Sequence, residues 1–171
     1  MYYYLDHDDE PYRELGISGE DYAHLIGTCF RYSTHFSFNI GFLRRKSIEP
    51  GLPAPYKTIE KCLLPALCDD IAILPCSEKA KEYLLHTVGD IYEWIDRNGH
   101  PEDLIFYRQD GSIFFWSMIH EGVCCLTERP DEDISGIVQN PDWHVQSPDE
   151  PNFYLPAGLA EFRLRLPDGD L

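Results

Sequence analysis

The sequence predicts an α+β fold with a mainly antiparallel sheet, built as one domain over residues 1–171. Two stretches, at about 19–32 and 77–98, repeat apolar residues at helical spacing. Across about 104–127, three apolar runs are separated by Gln109-Asp110-Gly111 and His120-Glu121-Gly122, the pattern of a central three-strand meander. The two helices are expected to pack on that sheet. No internal repeat and no linker-like change in composition divides the chain.

Taken in order, the elements follow from local chemistry. Residues 6–14 carry Asp6, Asp8, Asp9, Glu10 and Glu14 against one Arg13, so this lead-in should be solvated. Ser18 stands at an N-cap position, with Glu20 and Asp21 in the first turn where the helix dipole favours anions. Tyr22, Leu25, Ile26, Cys29 and Phe30 then mark one helical face. Phe36, Phe38, Ile40 and Phe42 alternate with small or polar residues, which predicts a half-buried strand. A Pro-rich loop follows Arg44-Arg45-Lys46, then a helix over 56–67 interrupted at Pro65, then a short buried strand at Ile71–Leu74.

Ser77 should cap the second major helix, whose face is Ala80, Leu84, Thr87, Val88, Ile91 and Ile95. Asn98-Gly99 offers a left-handed exit and Pro101 blocks continuation. In the middle meander strand, strict alternation puts Ile113, Phe115 and Ile119 on one face and Phe114, Trp116 and Met118 on the other. Apolar residues on both faces predict a strand covered on both sides. An acidic run leads into a short helix around 132–139, residues 140–158 read as loop, and Glu161–Leu166 alternates as a last strand.

Composition removes several functional classes. With 14 Lys and Arg against 30 Asp and Glu, the net charge is −16, which opposes general binding to a phosphate backbone. No apolar run has the roughly 18 residues a membrane helix needs. Met1 to Glu10 has neither the basic start nor the apolar stretch of a secretory signal, so the expected location is cytoplasmic and the six cysteines should stay reduced. No phosphate-binding Gly-rich loop, nucleophile elbow, His-Glu-x-x-His or EF-hand spacing is present.

The cysteines do not suit a metal. Cys62, Cys68 and Cys76 are spaced by six and eight, and Cys124 and Cys125 are adjacent, whereas structural zinc draws on tight Cys-x2–4-Cys knuckles. No metal or other cofactor is expected. Cys76 is the candidate reactive thiol, because it precedes a helix start whose dipole favours thiolate. His120-Glu121 and Asp142-Trp143-His144 place an imidazole beside an acid, the minimum for general acid–base work.

Charge is distributed unevenly. Residues 44–81 hold seven basic and five acidic residues, so −16 overall and +2 here leave −18 elsewhere, concentrated at 6–21 and 128–150. Such a surface steers a basic partner. Asp131, Glu132, Asp133, Asp149 and Glu150 are the expected contacts, with Trp143 and Tyr154 as aromatic anchors. A small, acidic, aromatic-rich cytoplasmic chain resembles bacterial toxin-neutralising immunity proteins in general character. The expected function is therefore non-enzymatic capture of a basic protein. A Cys/His-dependent hydrolase or transferase is one alternative; a homo-oligomeric structural protein, with Tyr2, Tyr3 and Tyr4 as exposed contacts, is another.

Overall fold

A computed structural model describes residues 1–6, 17–39, 71–95, 98–146 and 163. The solvated lead-in beyond Asp6, the helix at 56–67, Cys62, Cys68, Asp149, Glu150, Tyr154 and all of the last strand except Arg163 lie outside the described residues.

Seven strands form one antiparallel sheet in the order β3-β2-β4-β5-β6-β1-β7. They are β1 (Tyr2–Asp6), β2 (His35–Asn39), β3 (Ile71–Pro75), β4 (Glu102–Tyr107), β5 (Ile113–Met118), β6 (Val123–Thr127) and β7 (His144–Gln146). Among the described residues, three helices, α1 (Gly19–Tyr32), α2 (Glu78–Thr87) and α3 (Ser135–Val138), complete a mixed architecture that is mostly sheet.

Helix α1 forms where Tyr22, Leu25, Ile26 and Cys29 share one buried face, with Glu20 and Asp21 in its first turn. Burying a Leu or Ile of this kind contributes roughly 1.5–3 kcal/mol. Ser18 occupies the cap position, but its side chain makes no cap hydrogen bond. Its backbone bridges Asp90 instead.

That bridge explains why α2 is shorter than its apolar pattern. Ser77 Oγ accepts from the Ala80 N–H at 3.2 Å and opens the helix as expected. The helix stops at Thr87, and Val88 is extended. Gly19 N–H donates to Gly89 O at 3.0 Å and Ile91 N–H to Ile17 O at 3.2 Å, pulling this segment across to the start of α1. A 3-10 turn at Ile91–Glu93 follows, capped by Asp90. Leu84, Val88 and Ile91 are nonetheless all buried, while Ile95 is only partly so. The apolar spacing thus reports burial correctly and helix length incorrectly.

The main core lies between the helices and one sheet face, with Phe36, Phe38, Leu74, Leu104, Phe106, Phe115 and Leu126 from the sheet. Trp94 Nε1–H donates to Tyr22 OH at 2.9 Å, and Tyr22 OH donates to Leu84 O at 3.0 Å, tying α1, α2 and the 3-10 turn together. A second cluster, with Ile73, Ile105, Tyr107, Ile113, Trp116 and Cys125, occupies the other face. Strand β2 is buried on both faces rather than half-buried: Phe36 and Phe38 join the main core, and His35 and Ser37 are covered on the other face. On the face opposite Phe36 and Phe38, the buried Ser37 is satisfied by Tyr107 OH at 2.9 Å.

Two local geometries depart from simple patterning. Phe106 faces Phe115 while Tyr107 faces Ile113, so Phe114 is an extra residue in β5. A bulge breaks the period of two. Phe114 and Phe115 consequently both enter the main core, leaving Ile113, Trp116 and Met118 in the second cluster. In the Asp110-Gly111 turn only Gly111 is left-handed, at φ 77°, so this is not the two-residue turn with both central residues at positive φ.

Candidate functional site

The acidic expectation concerned segments far apart in sequence, and the fold joins two of them. Asn140 Nδ2–H donates to the Asp21 carboxylate at 3.2 Å, at the start of α1. At the other end of that helix, the Asp133 N–H donates to Tyr32 OH at 2.8 Å. Residues 133–140 therefore run alongside α1 in the opposite direction. Glu20, Asp21, Asp131 and Asp133 are exposed and Asp142 is half-buried on this side. Asp133 Oδ1 accepts from both the N–H and the hydroxyl of Ser135, bonds that hold its carboxyl below the ordinary value. Gly136 fits against His24: a Cβ there would stand 2.2 Å from the His24 Nε2.

The other expected contacts are placed differently. Glu132 is not a surface acid, since its side chain is only 5% exposed and is paired with Arg108. Arg108 Nε donates to Glu132 Oε1 at 2.5 Å and Nη2 to Oε2 at 2.6 Å, a bidentate pair. The guanidinium also donates to Thr127 O, to Ile113 O and to Thr127 Oγ1, and lies over the Phe114 ring. Alongside, the lining of a cleft of about 160 Å³ includes Arg108, Ser112, Thr127, Glu128, Arg129 and Arg163. Arg129 is engaged by Asp110 at 2.6 Å. Desolvation raises the Asp110 carboxyl, but hydrogen bonds from Ser112 and Arg129 outweigh it and hold the group below its ordinary value. Trp143 is a core residue at 7% exposure rather than a surface anchor.

The tyrosines at the start of the chain form β1, between β6 and β7, instead of an exposed patch. Tyr3 is buried, and its hydroxyl donates to Glu128 Oε2 at 3.1 Å. Cys76 does stand next to the α2 cap, yet burial pushes its thiol up to about 12. Desolvation outweighs any benefit from the helix end. Cys29 and Cys124 are buried completely, and the same cause raises them well above the ordinary thiol value.

The histidine-acid pairs diverge. His144 is exposed on β7, its ring centre 5.4 Å from that of Tyr4. His120 is half-exposed, with Nδ1 3.8 Å from Asp103 Oδ1 and Nε2 3.7 Å from Glu121 Oε1. Asp103 had no signal in the sequence beyond two adjacent acids after Pro101. Its backbone is the sole positive-φ position outside glycine among the described residues, at 55°. Ile119 N–H donates to its Oδ1 at 3.2 Å and Asn39 approaches Oδ2 at 3.4 Å. Desolvation raises its pKa, against the lowering influence of Ile119, His120 and Asn39. A cleft of about 50 Å³ beside it is lined by Ser37, Asn39, Ile105, Trp116 and Ser117.

A scan against models of known protein families and searches of characterised proteins and of solved structures return no significant match. No helix among the described residues is long and apolar enough to cross a membrane.

Proposed function

We propose that this chain is a non-enzymatic binding protein that captures a basic protein partner, in the manner of an immunity or inhibitor protein. The observation that carries this reading is the docking of residues 133–140 along α1, with Asn140 bonded to Asp21 in its first turn and Asp133 bonded to Tyr32, its last residue. Glu20, Asp21 and Asp142 at one end of α1 and Asp131 and Asp133 at the other then make up the proposed acidic face, with Arg31 near Asp133. Fixed carboxylates attract a basic partner over distance and accelerate encounter by 10–10³-fold. Asp149, Glu150 and Tyr154 extend the proposed surface in sequence. The strands β4, β5 and β6, read as a central meander, are its support. The raised thiols of Cys29, Cys76 and Cys124 speak against any of these three as a nucleophile, and the burial of Tyr3 speaks against an aromatic oligomer contact.

The test is capture from native extract at two salt concentrations, followed by stopped-flow association with the recovered protein. A variant with Glu20→Gln, Asp21→Asn, Asp131→Asn, Asp133→Asn and Asp142→Asn should associate at least about tenfold more slowly at low salt. The difference should fade as added salt shortens the screening length below about 8 Å. Equal rates and equal salt slopes in the two proteins, or recovery of no basic protein, would overturn the reading.

A further inference from the structure

The strongest unassigned chemistry lies away from the acidic surface. Glu102, Asp103 and His120 each offer one ligand atom, and these atoms all lie within 4.8 Å of one another. Adjacent strand residues ordinarily point to opposite faces, so convergence of Glu102 and Asp103 needs a cause. The register supplies one. Ser37 faces Ile105 while Asn39 faces Glu102, which leaves an extra residue in β4. Asp103 takes the left-handed conformation within that bulge. Bulges re-aim side chains in this way and concentrate beside functional sites. The 3-10 turn at Ile119–Glu121 then brings His120 over the pair.

Among the described residues no Lys or Arg supplies a fixed counter-charge for Asp103. Its side chain is 12% exposed and meets a backbone N–H, an amide and an imidazole. The Asn39 approach of 3.4 Å is too long to be a strong bond. A second carboxylate, Glu102, sits next to it in a residue only 5% exposed. A cation among the three ligand atoms would offset the desolvation of the Asp103 carboxylate.

We infer that Glu102, Asp103 and His120 bind a divalent transition cation, of the Zn2+ or Mn2+ kind. Two oxygens and one imidazole nitrogen suit these ions better than Ca2+ or Mg2+, which take oxygen alone. Tetrahedral ligands at bond lengths near 2.1 Å stand about 3.4 Å apart. The Asp103–His120 separation of 3.8 Å is close to that value, and the half-exposed His120 ring can rotate the remaining distance. Asp103 also belongs to the wall of the cleft beside Ser37, Asn39 and Ser117. A fourth coordination position facing that cleft would remain for water or a small ligand, the arrangement of exchangeable rather than sealed sites.

Mn2+ tests this without involving the thiols, because it is a harder ion and because it broadens nearby NMR signals. In the full-length protein, substoichiometric MnCl2 should erase the amide signals of residues 39, 102–103 and 119–120 first. One equivalent of ZnCl2 should restore them. His120→Ala removes an exposed ring and should weaken the effect by roughly tenfold or more. Asp103→Asn should do the same while keeping a residue that tolerates the left-handed backbone. Broadening spread evenly over Glu20, Asp21, Asp131 and Asp133, or broadening at positions 102, 103 and 119 that is unchanged in both variants, would overturn the inference. Neither outcome bears on capture of a basic protein.

Discussion

Replacing Glu132 by Gln removes the charge that compensates Arg108 while keeping the size of the side chain. Both members of the pair are nearly sealed from water, at 6% and 5% side-chain exposure, so solvent does not screen the loss. Arg108 keeps its bonds to Thr127 O and Ile113 O, and the amide oxygen of the new residue can still accept one N–H. Its NH2 group, however, must face a donor. Leaving a buried charge unpaired costs about 3–5 kcal/mol, and the retained bonds argue for the lower end, about 3 kcal/mol. For a chain of this size that corresponds to a fall of roughly 6–12 °C in melting temperature. Urea denaturation followed by fluorescence suits the measurement, because Trp94, Trp116 and Trp143 are all buried. The pair Arg108→Leu with Glu132→Leu should recover most of the loss, since a buried ion pair replaced by apolar groups is often neutral. A Glu132→Gln variant within about 0.5 kcal/mol of wild type, the range of ordinary surface changes, would refute the reasoning. So would a double variant that is no better than the single one.

Two further outcomes follow from titratable groups. With its thiol raised from 9.0 to about 12, Cys76 in the folded protein should hold about a thousandfold less thiolate at pH 8 than in the unfolded chain. Timed alkylation with mass spectrometry should show correspondingly slow labelling, and Cys76 labelling first among the native thiols would contradict it. Burial raises Asp103 above its ordinary 3.8, so the native state holds that proton more tightly than the unfolded chain. Its contribution is whole below pH 3.8 and is lost as pH climbs through the native value. The stability of wild type relative to Asp103→Asn should therefore decline across that window, measured by denaturation at a series of pH values without added metal; a flat difference would sink the argument.

How far the sequence could be read depended on whether local or distant contacts decided each element. Helix α1 was legible because Tyr22, Leu25, Ile26 and Cys29 satisfy the helical period within a single segment. Strand β1 was not, since Tyr2-Tyr3-Tyr4-Leu5-Asp6 has no alternation and its partners β6 and β7 lie more than a hundred residues away. The end of α2 was decided by Ile17 and Gly19, which compete for the backbone of residues 89–91. At the candidate sites the limit is similar. Asp131, Glu132 and Asp133 are indistinguishable as consecutive acids until Arg108 claims the middle one. Glu102 and Asp103 acquire meaning only from a bulge set by the register against β2.

The burial of Glu132 and the exposure of its neighbours are parts of one arrangement. Glu132 is held by Arg108 and, through Oε2, by the Arg129 N–H at 2.8 Å, while its own N–H donates to Arg129 O at 3.0 Å. Tyr32 and Ser135 fix Asp133 immediately after it. A residue turned fully inward leaves Asp131 and Asp133 on either side facing water, on a loop whose backbone has few alternatives. Carboxylates displayed from such a loop bring less ordering cost to an encounter than the same acids on a freely moving segment. The acid that was expected to touch the partner thus serves the proposed surface from beneath, by holding the two that can.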